Sequence, residues 1–447
     1  MTTRCWTDCE GFCRRDFLKI GAAGLFGLSL PDLLRLESRA KALKRDALDH
    51  RHANSVIMVW LGGGPATIDM WDLKPRAPEG IRGEFKPIPT NVAGIEISEH
   101  LPRMAKVADK TTIVRSLYHT IPSHGVATVW MTTGNKPTAA LQYPSMGSLT
   151  TKLLSGAKGV PPYVSFGEIR GGTAGVAGYL GTACNPFIVE GAAGGKGKGG
   201  GTLRVRGITL PTGFTLEELD NRDKLLKGFD KRFQSLDKAS DLTDGLDAFH
   251  QQALDILRSD KTKKAFDLDR EPLALRERYG QNGFGQGVLA ARRLVEAGVR
   301  FVTVTLGGWD THGRNFDALK KNLLPRLDET LSALIQDLGD RGMLDQTIVY
   351  CAGEFGRTPK INRNAGRDHW ARSMAAVLAG GRFKHGYVHG STDAQGMVPA
   401  TEPCTPDDVA ATVFHCLGID PHKELMTPTG RPVQLFREGR IIDKLLG

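Results

Sequence analysis

The chain has 447 residues, a formal net charge of +10, 54 glycines and seven cysteines. That length buries a large core, and the composition is that of a globular protein rather than a disordered or fibrous one. The basic balance suits an anionic substrate, but no run interleaves arginine with aromatic residues, which argues against a nucleic-acid partner.

The first residues read as a targeting segment. Cys13-Arg14-Arg15-Asp16-Phe17-Leu18-Lys19 leads into the apolar run Ile20 to Leu30. About eleven apolar residues are too few for the ~20 that span a bilayer. Paired arginines followed by Phe-Leu-Lys resemble a twin-arginine export signal. Residues 1–42 are therefore expected to be that signal, with Ala40-Lys41-Ala42 as a candidate cleavage site. The implied partner is the twin-arginine export machinery, and the implied destination is the periplasm or cell surface. Cys5, Cys9 and Cys13 belong to this segment. No other segment is apolar enough to predict a stable membrane span. Residues 43–54 are charged and read as a linker.

The first strand is predicted at Ser55-Val56-Ile57-Met58-Val59-Trp60-Leu61, a β-branched apolar run ending in Gly62-Gly63-Gly64, with Asp69 and Asp72 close behind. Ile113 to Leu117 reads as a second strand and Val164 to Phe166 as part of a third. Helices are predicted over His124 to Met131 and Met146 to Leu154. Gly191 to Gly201 is almost all glycine, alanine and lysine, but no Gly-Lys-Ser/Thr opens a helix there, so a surface loop is expected rather than a phosphate loop. Residues 215–280 are charged and helical in pattern, and read as an insertion or cap.

The strand–helix alternation resumes at about Gln286. Val299 to Leu306 is strand-like, turns at Gly307-Gly308, and runs into Trp309-Asp310-Thr311-His312-Gly313. Leu319, Leu323, Leu327, Leu331, Leu334 and Leu338 then recur every three or four residues, an apolar helical stripe, with Pro325 expected to kink or break it. Thr347 to Cys351 is another glycine-bounded apolar run, ending in Gly353-Glu354-Phe355-Gly356-Arg357. A last helix is expected from Pro406 to Leu417, stopped by Gly418. Cys351 reads as inert packing, while Cys404 and Cys416 could pair in an oxidising compartment.

Short glycine-bounded apolar runs alternating with helices predict an α/β fold with a largely parallel central sheet, flanked by helices on both faces. Such sheets place their chemistry outside the carboxyl ends of the strands. That edge would gather Asp69 or Asp72, Asp310, His312 and Glu354. Carboxylate and imidazole are ordinary ligands of divalent metals. With His369 of Gly366-Arg367-Asp368-His369-Trp370, Asp310 and His312 make a candidate three-ligand site with an open position. Glu354 is a further candidate ligand or general base, and Arg357 a candidate oxyanion clamp. His119-Thr120-Ile121-Pro122-Ser123-His124 joins a strand to a helix. His119 and His124 are candidate acid–base groups or ligands, and Thr120, Ser123 or an activated water are candidate nucleophiles.

Taken in order, these motifs resemble the alkaline phosphatase and sulfatase superfamily. More closely they look like its bacterial branch called domain of unknown function 1501. The likeness covers most of residues 55–420 and implies one alkaline-phosphatase-like domain over residues 55–447. In that superfamily carboxylates and histidines hold two metals around a serine, threonine or modified cysteine nucleophile. Asp310 and His312 match its Asp–His element and His369 its late histidine. Glu354 matches the aspartate of a further pair, where Phe355 stands in place of histidine. Gly62 to Gly64 replace the first-strand aspartate, leaving Asp69 or Asp72 as displaced substitutes. Thr120 to His124 is similar in outline to the sulfatase Cys-x-Pro-Ser-Arg signature, without the cysteine that formylglycine chemistry requires.

The resemblance implies an exported metal-dependent hydrolase of phosphate or sulfate esters, polysaccharide esters among them. Its cofactor would be a divalent ion such as zinc, manganese, iron or calcium. The alternative is an exported, non-catalytic binding or assembly protein on the same fold.

Overall fold

The computed structural model describes residues 52–167, 169, 175–189 and 259–447. The expected export signal, loop 191–201, most of the 43–54 linker and most of the 215–280 insertion lie outside the described residues.

A central eight-stranded sheet organises the molecule. Its strands are β1 (Ser55–Gly62), β2 (Thr111–Leu117), β3 (Tyr163–Phe166), β4 (Phe187–Val189), β5 (Phe301–Gly307), β6 (Thr347–Ala352), β7 (Met374–Ala379) and β8 (Tyr387–His389). They lie in the order β8-β2-β7-β6-β1-β5-β3-β4. β1 sits between β5 and β6 and is parallel to both, with Val56 opposite Phe301 and Ile348. β7 alone among these strands runs antiparallel to its neighbours β2 and β6. The sheet is thus largely parallel, as expected.

Burial on both faces explains the continuous apolar runs. Alternate residues of β1 point to opposite faces. Ile57, Val59 and Leu61 enter one core. There they join α3 (Gly283–Glu296) and α4 (Leu324–Asp340), named after α1 (His124–Thr133) and α2 (Met146–Leu153), through Val288, Leu294, Leu327 and Leu331. Val56, Met58 and Trp60 enter the other core. It includes Met131 of α1, Leu149 of α2 and Val409, Val413 and Phe414 of α5 (Pro406–Cys416).

The leucine stripe is interrupted where proline demanded it. Asn315–Ala318 is a single helical turn, Leu319–Leu323 forms a π-helical turn, and α4 begins at Leu324 with Pro325 in its first turn. Proline has no N–H to give and breaks the regular ladder. The Leu324 N–H bonds the Leu319 C=O in the π turn before it, and Leu319, Leu323, Leu327 and Leu331 all stay in one core. α5 opens with a capping box, Thr405 and Asp408 each bonding the other's backbone N–H. Asp260–Phe266 and Leu273–Arg278 are helical, and Ala265 and Phe266 are buried in the main core. Cys184, Cys351, Cys404 and Cys416 are buried free thiols, so Cys404 and Cys416 are not bridged.

Candidate metal centre

The parallel strands β1, β2, β5 and β6 end at one edge of the sheet, and antiparallel β7 starts there. The loops at that edge are locked together before any side chain is considered. Trp309 N–H donates to Gly62 C=O at 3.2 Å, extending the β1–β5 pairing past the strand ends. Gly63 has φ of +119°, and a Cβ there would lie 2.5 Å from the Asp310 nitrogen. The loop after β5 is laced to the 362–367 loop through Arg314 N–H to Asn364 C=O and Arg367 N–H to Thr311 C=O. Gly366 permits this approach, since a Cβ on it would meet the His312 carbonyl oxygen at 2.0 Å. A two-residue antiparallel ladder sets His369 opposite Arg357.

These loops bring His124, Asp310, His312 and His369 to one point. One ligand atom from each of His124, Asp310 and His369 lies within 4.8 Å of the others. His312 Nε2 is 3.1 Å from Asp310 Oδ1 and 2.9 Å from His369 Nε2. His369 Nε2 is 3.3 Å from Asp310 Oδ1, and His124 Nε2 is 3.3 Å from Asp310 Oδ2.

Each imidazole is oriented by its other nitrogen. His124 Nδ1–H donates to Glu354 Oε1 at 2.6 Å, His312 Nδ1–H to Asp368 Oδ1 at 2.7 Å, and His369 Nδ1–H to the Pro122 carbonyl at 2.9 Å. Since these partners only accept, the hydrogen-bond network assigns a proton to each Nδ1, and a neutral ring then presents its Nε2 lone pair. The three lone pairs then face the Asp310 carboxylate. Two bare lone pairs at 2.9 Å repel, and a cation between them relieves that repulsion. His124 Nε2 is buried and makes no hydrogen bond. The donor set and its outer supports therefore fit a divalent metal, with the carboxylate- and carbonyl-backed histidines that such sites use.

The charges around the centre shift its carboxylates and His124. Burial alone would raise the Asp310 pKa, but the hydrogen bond and charge of Arg357, with the neighbouring imidazoles, hold it at about 2. The Glu354 hydrogen bond raises the pKa of His124 despite burial. The His312 hydrogen bond lowers that of Asp368.

Several expected roles change. His124, read as an acid–base group or ligand, faces Asp310 with the other ligand candidates. Glu354 does not face that point. Its carboxylate accepts from His124 and from the Gly63 N–H at 2.9 and 3.2 Å, so it supports a ligand rather than acting as one or as a free base. Arg357 is no free oxyanion clamp. Its buried guanidinium donates to Asp310 Oδ1 at 2.7 Å and to the carbonyls of Gly63, Gly64, Trp309 and Arg367.

His119 is buried, accepts from Ile121 N–H at 3.1 Å and donates to the Glu354 carbonyl at 2.7 Å, so it shapes the loop rather than working as an acid or base. Asp69 forms a buried pair with Arg367 at 2.8 Å and accepts from Asn315 at 2.9 Å. Asp72 is engaged with Lys74, Arg115 and Thr392. Both aspartates are directed away from ligation by these partners. Thr120 and Ser123 are exposed on the loop before α1, and Ser123 occupies the helix N-cap without a side-chain cap bond. Sequence reasoning missed Asp368 and the Pro122 carbonyl as supports. The adjacent Asp368-His369 pair carried a signal for the first, and a main-chain carbonyl carries none.

The family described as "Protein of unknown function (DUF1501)" matches residues 53–446. No curated protein matches the chain. Solved structures similar to it include a sulfatase from Pseudoalteromonas sp., with 12% identity, TM-score 0.43, and coverage of 91% of this chain and 74% of that one. A phosphonate monoester hydrolase from Silicibacter pomeroyi has 12% identity, TM-score 0.38, and coverage of 88% and 76%. A protein in the alkaline phosphatase superfamily from Vibrio parahaemolyticus has 12% identity, TM-score 0.36, and coverage of 83% and 67%.

Proposed function

The chain belongs to the DUF1501 family, and from that premise and the geometry of the centre we propose that it is an exported, metal-dependent hydrolase of phosphate or sulfate esters. The observation that carries this reading is the convergence of three Nε2 atoms on Asp310, each imidazole backed through Nδ1. His124, Asp310, His312 and His369 would hold the ion. Three imidazoles and one carboxylate suit zinc, iron or manganese better than calcium, which prefers an all-oxygen shell. A bound ion there supplies Lewis acidity toward an ester oxygen and lowers the pKa of a hydroxyl or water.

The chain's own residues prepare that chemistry. Asp310, with its pKa held at about 2, stays anionic over the working pH range. Glu354 and Asp368 fix the tautomers of His124 and His312. Ser123 is the favoured acceptor of the transferred group. It stands between Pro122, whose carbonyl orients His369, and the ligand candidate His124, and its hydroxyl is not spent on capping α1. Its oxygen would bond to phosphorus or sulfur as the ester oxygen leaves with the bond pair. The hydroxyl proton goes to solvent, because Glu354 and His119 are already committed. The departing ester oxygen takes a proton from solvent. A water then displaces the Ser123 oxygen from phosphorus or sulfur, releasing the acid and restoring the hydroxyl. The net charge of +10 supports an anionic substrate, and the Arg14-Arg15 segment supports twin-arginine export. Among the described residues no helix is long and apolar enough to cross a membrane.

The test is elemental analysis of the folded protein beside Asp310→Ala, followed by a screen of aryl phosphate and sulfate monoesters. Metal and turnover in the wild type, both lost in the variant, are expected. A well-folded wild type that takes up no metal from added salts would sink the reading. Metal without turnover of either ester class would favour the binding or assembly role instead, which the commitment of Glu354 and Arg357 to supporting contacts also favours.

A further inference from the structure

Resting on the metal reading above, we infer that the centre accepts a single ion, because the buried guanidinium of Arg357 stands against Asp310 as a permanent cation and the Phe355 ring closes the space beside it.

The neighbourhood of the centre holds enough acidic residues to raise the question of a second ion. Each is already matched. Asp69 carries Arg367 and Asn315, Asp72 carries Lys74 and Thr392, Glu354 carries His124 and the Gly63 N–H, and Asp368 carries His312 and Asn362. Asp310, the one carboxylate among the described residues that faces the three Nε2 atoms, already accepts from Arg357 Nη2 at 2.7 Å. Arginine does not lose its proton in proteins. A second divalent ion on that side of Asp310 would meet a fixed positive charge within a few ångström, in a setting where the Arg357 side chain is fully buried and screening is weak.

Steric closure acts with the charge. The Phe355 ring lies 4.9 Å from the His124 ring and 4.5 Å from the His369 ring, centroid to centroid. The Arg357 guanidinium carbon is 5.8 Å from its centroid. On the other side Phe355 packs against Gly64, where an added Cβ would lie 2.5 Å from the ring. Phe355 is fully buried and offers no ligand atom. The volume between the imidazoles and the β1 turn is therefore filled by a phenyl ring and a guanidinium.

Calorimetric titration with zinc alone, checked by elemental analysis of the gel-filtered full chain, decides the matter. Wild type is expected to saturate at one equivalent. Phe355→His supplies an imidazole but keeps the guanidinium, and is expected to remain at one. Phe355→His/Arg357→Gln removes both barriers and is expected to rise to two. Two equivalents in wild type would overturn the inference and leave the hydrolase reading standing, whereas none in folded wild type would remove the metal reading itself. A second equivalent in Phe355→His alone, or a folded double variant that stays at one, would show that the guanidinium is not the barrier. If the double variant fails to fold, the wild-type and Phe355→His counts decide alone.

Discussion

A proton on the wrong ring nitrogen would undo this centre, and the residues that prevent it are not themselves ligands. Glu354 holds the Nδ1 proton of His124 and Asp368 that of His312. Glu354→Gln keeps the shape but removes the charge that raises the basicity of the ring. Losing such a support typically costs 10–100-fold in metal affinity. Competition with a chromogenic chelator should show a fall of that order for Glu354→Gln and Asp368→Asn, and unchanged affinity in both would refute the supporting role. His119 makes a different prediction. Burial lowers its pKa, partly offset by its bond to the Glu354 carbonyl. The folded state then resists protonation while the unfolded state takes up a proton near pH 6.5. Stability from this group is present above that pH and is lost as pH falls below it, at up to about 1.4 kcal/mol per pH unit. Urea titrations of metal-free protein between pH 7.5 and 5.5 should show a shallower acid loss for His119→Gln than for wild type. Equal slopes would contradict the assignment.

At the scale of elements, the loops matter more than the strands they join. The strands and helices were legible because their cause is local: β-branched apolar runs end in glycine, and leucines recur with helical period. β1, β5, β6, α1 and α5 accordingly stand within a residue or two of the expected bounds. Asp310, His312 and His369 were legible as a constellation for the same reason, since each follows or precedes an apolar run. The antiparallel sense of β7 was not legible, because periodicity carries no direction. Nor were the duties of Asp69, Asp72, Glu354 and Arg357, whose partners lie 47 or more residues away in sequence apart from Lys74, Arg115 and Arg367. A charged residue near a site can ligate or brace, and only tertiary contact separates the two. The 362–367 loop gives the sharpest test of bracing. Gly366→Ala puts a methyl group 2.0 Å from the His312 carbonyl oxygen, so backbone must move. Far-ultraviolet circular dichroism should stay near wild type while zinc affinity falls roughly tenfold or more. Wild-type affinity in a folded Gly366→Ala protein would mean that the loop lacing does not position His312.

For the molecule as a whole, the centre exists only when the sheet does. His124 follows β2, Asp310 and His312 follow β5, and His369 precedes β7, with β6 and β1 lying between those strands in the sheet. An unfolded chain has no such cluster, so metal affinity for the native state adds to folding stability as RT ln(1 + [metal]/Kd). At free metal a hundredfold above Kd the gain is about 2.7 kcal/mol. For a domain of this size that corresponds to a rise in Tm on the order of a few degrees. The rise should track the logarithm of metal concentration and disappear on chelation. The Asp310→Ala variant separates this from non-specific ion effects, because removing Asp310 also leaves the Arg357 guanidinium facing the three imidazoles with its carboxylate partner gone. That variant should melt at one temperature with or without zinc. A metal-dependent Tm that survived in Asp310→Ala would place the bound ion elsewhere on the molecule, and the four residues at the sheet edge would lose their claim to hold it.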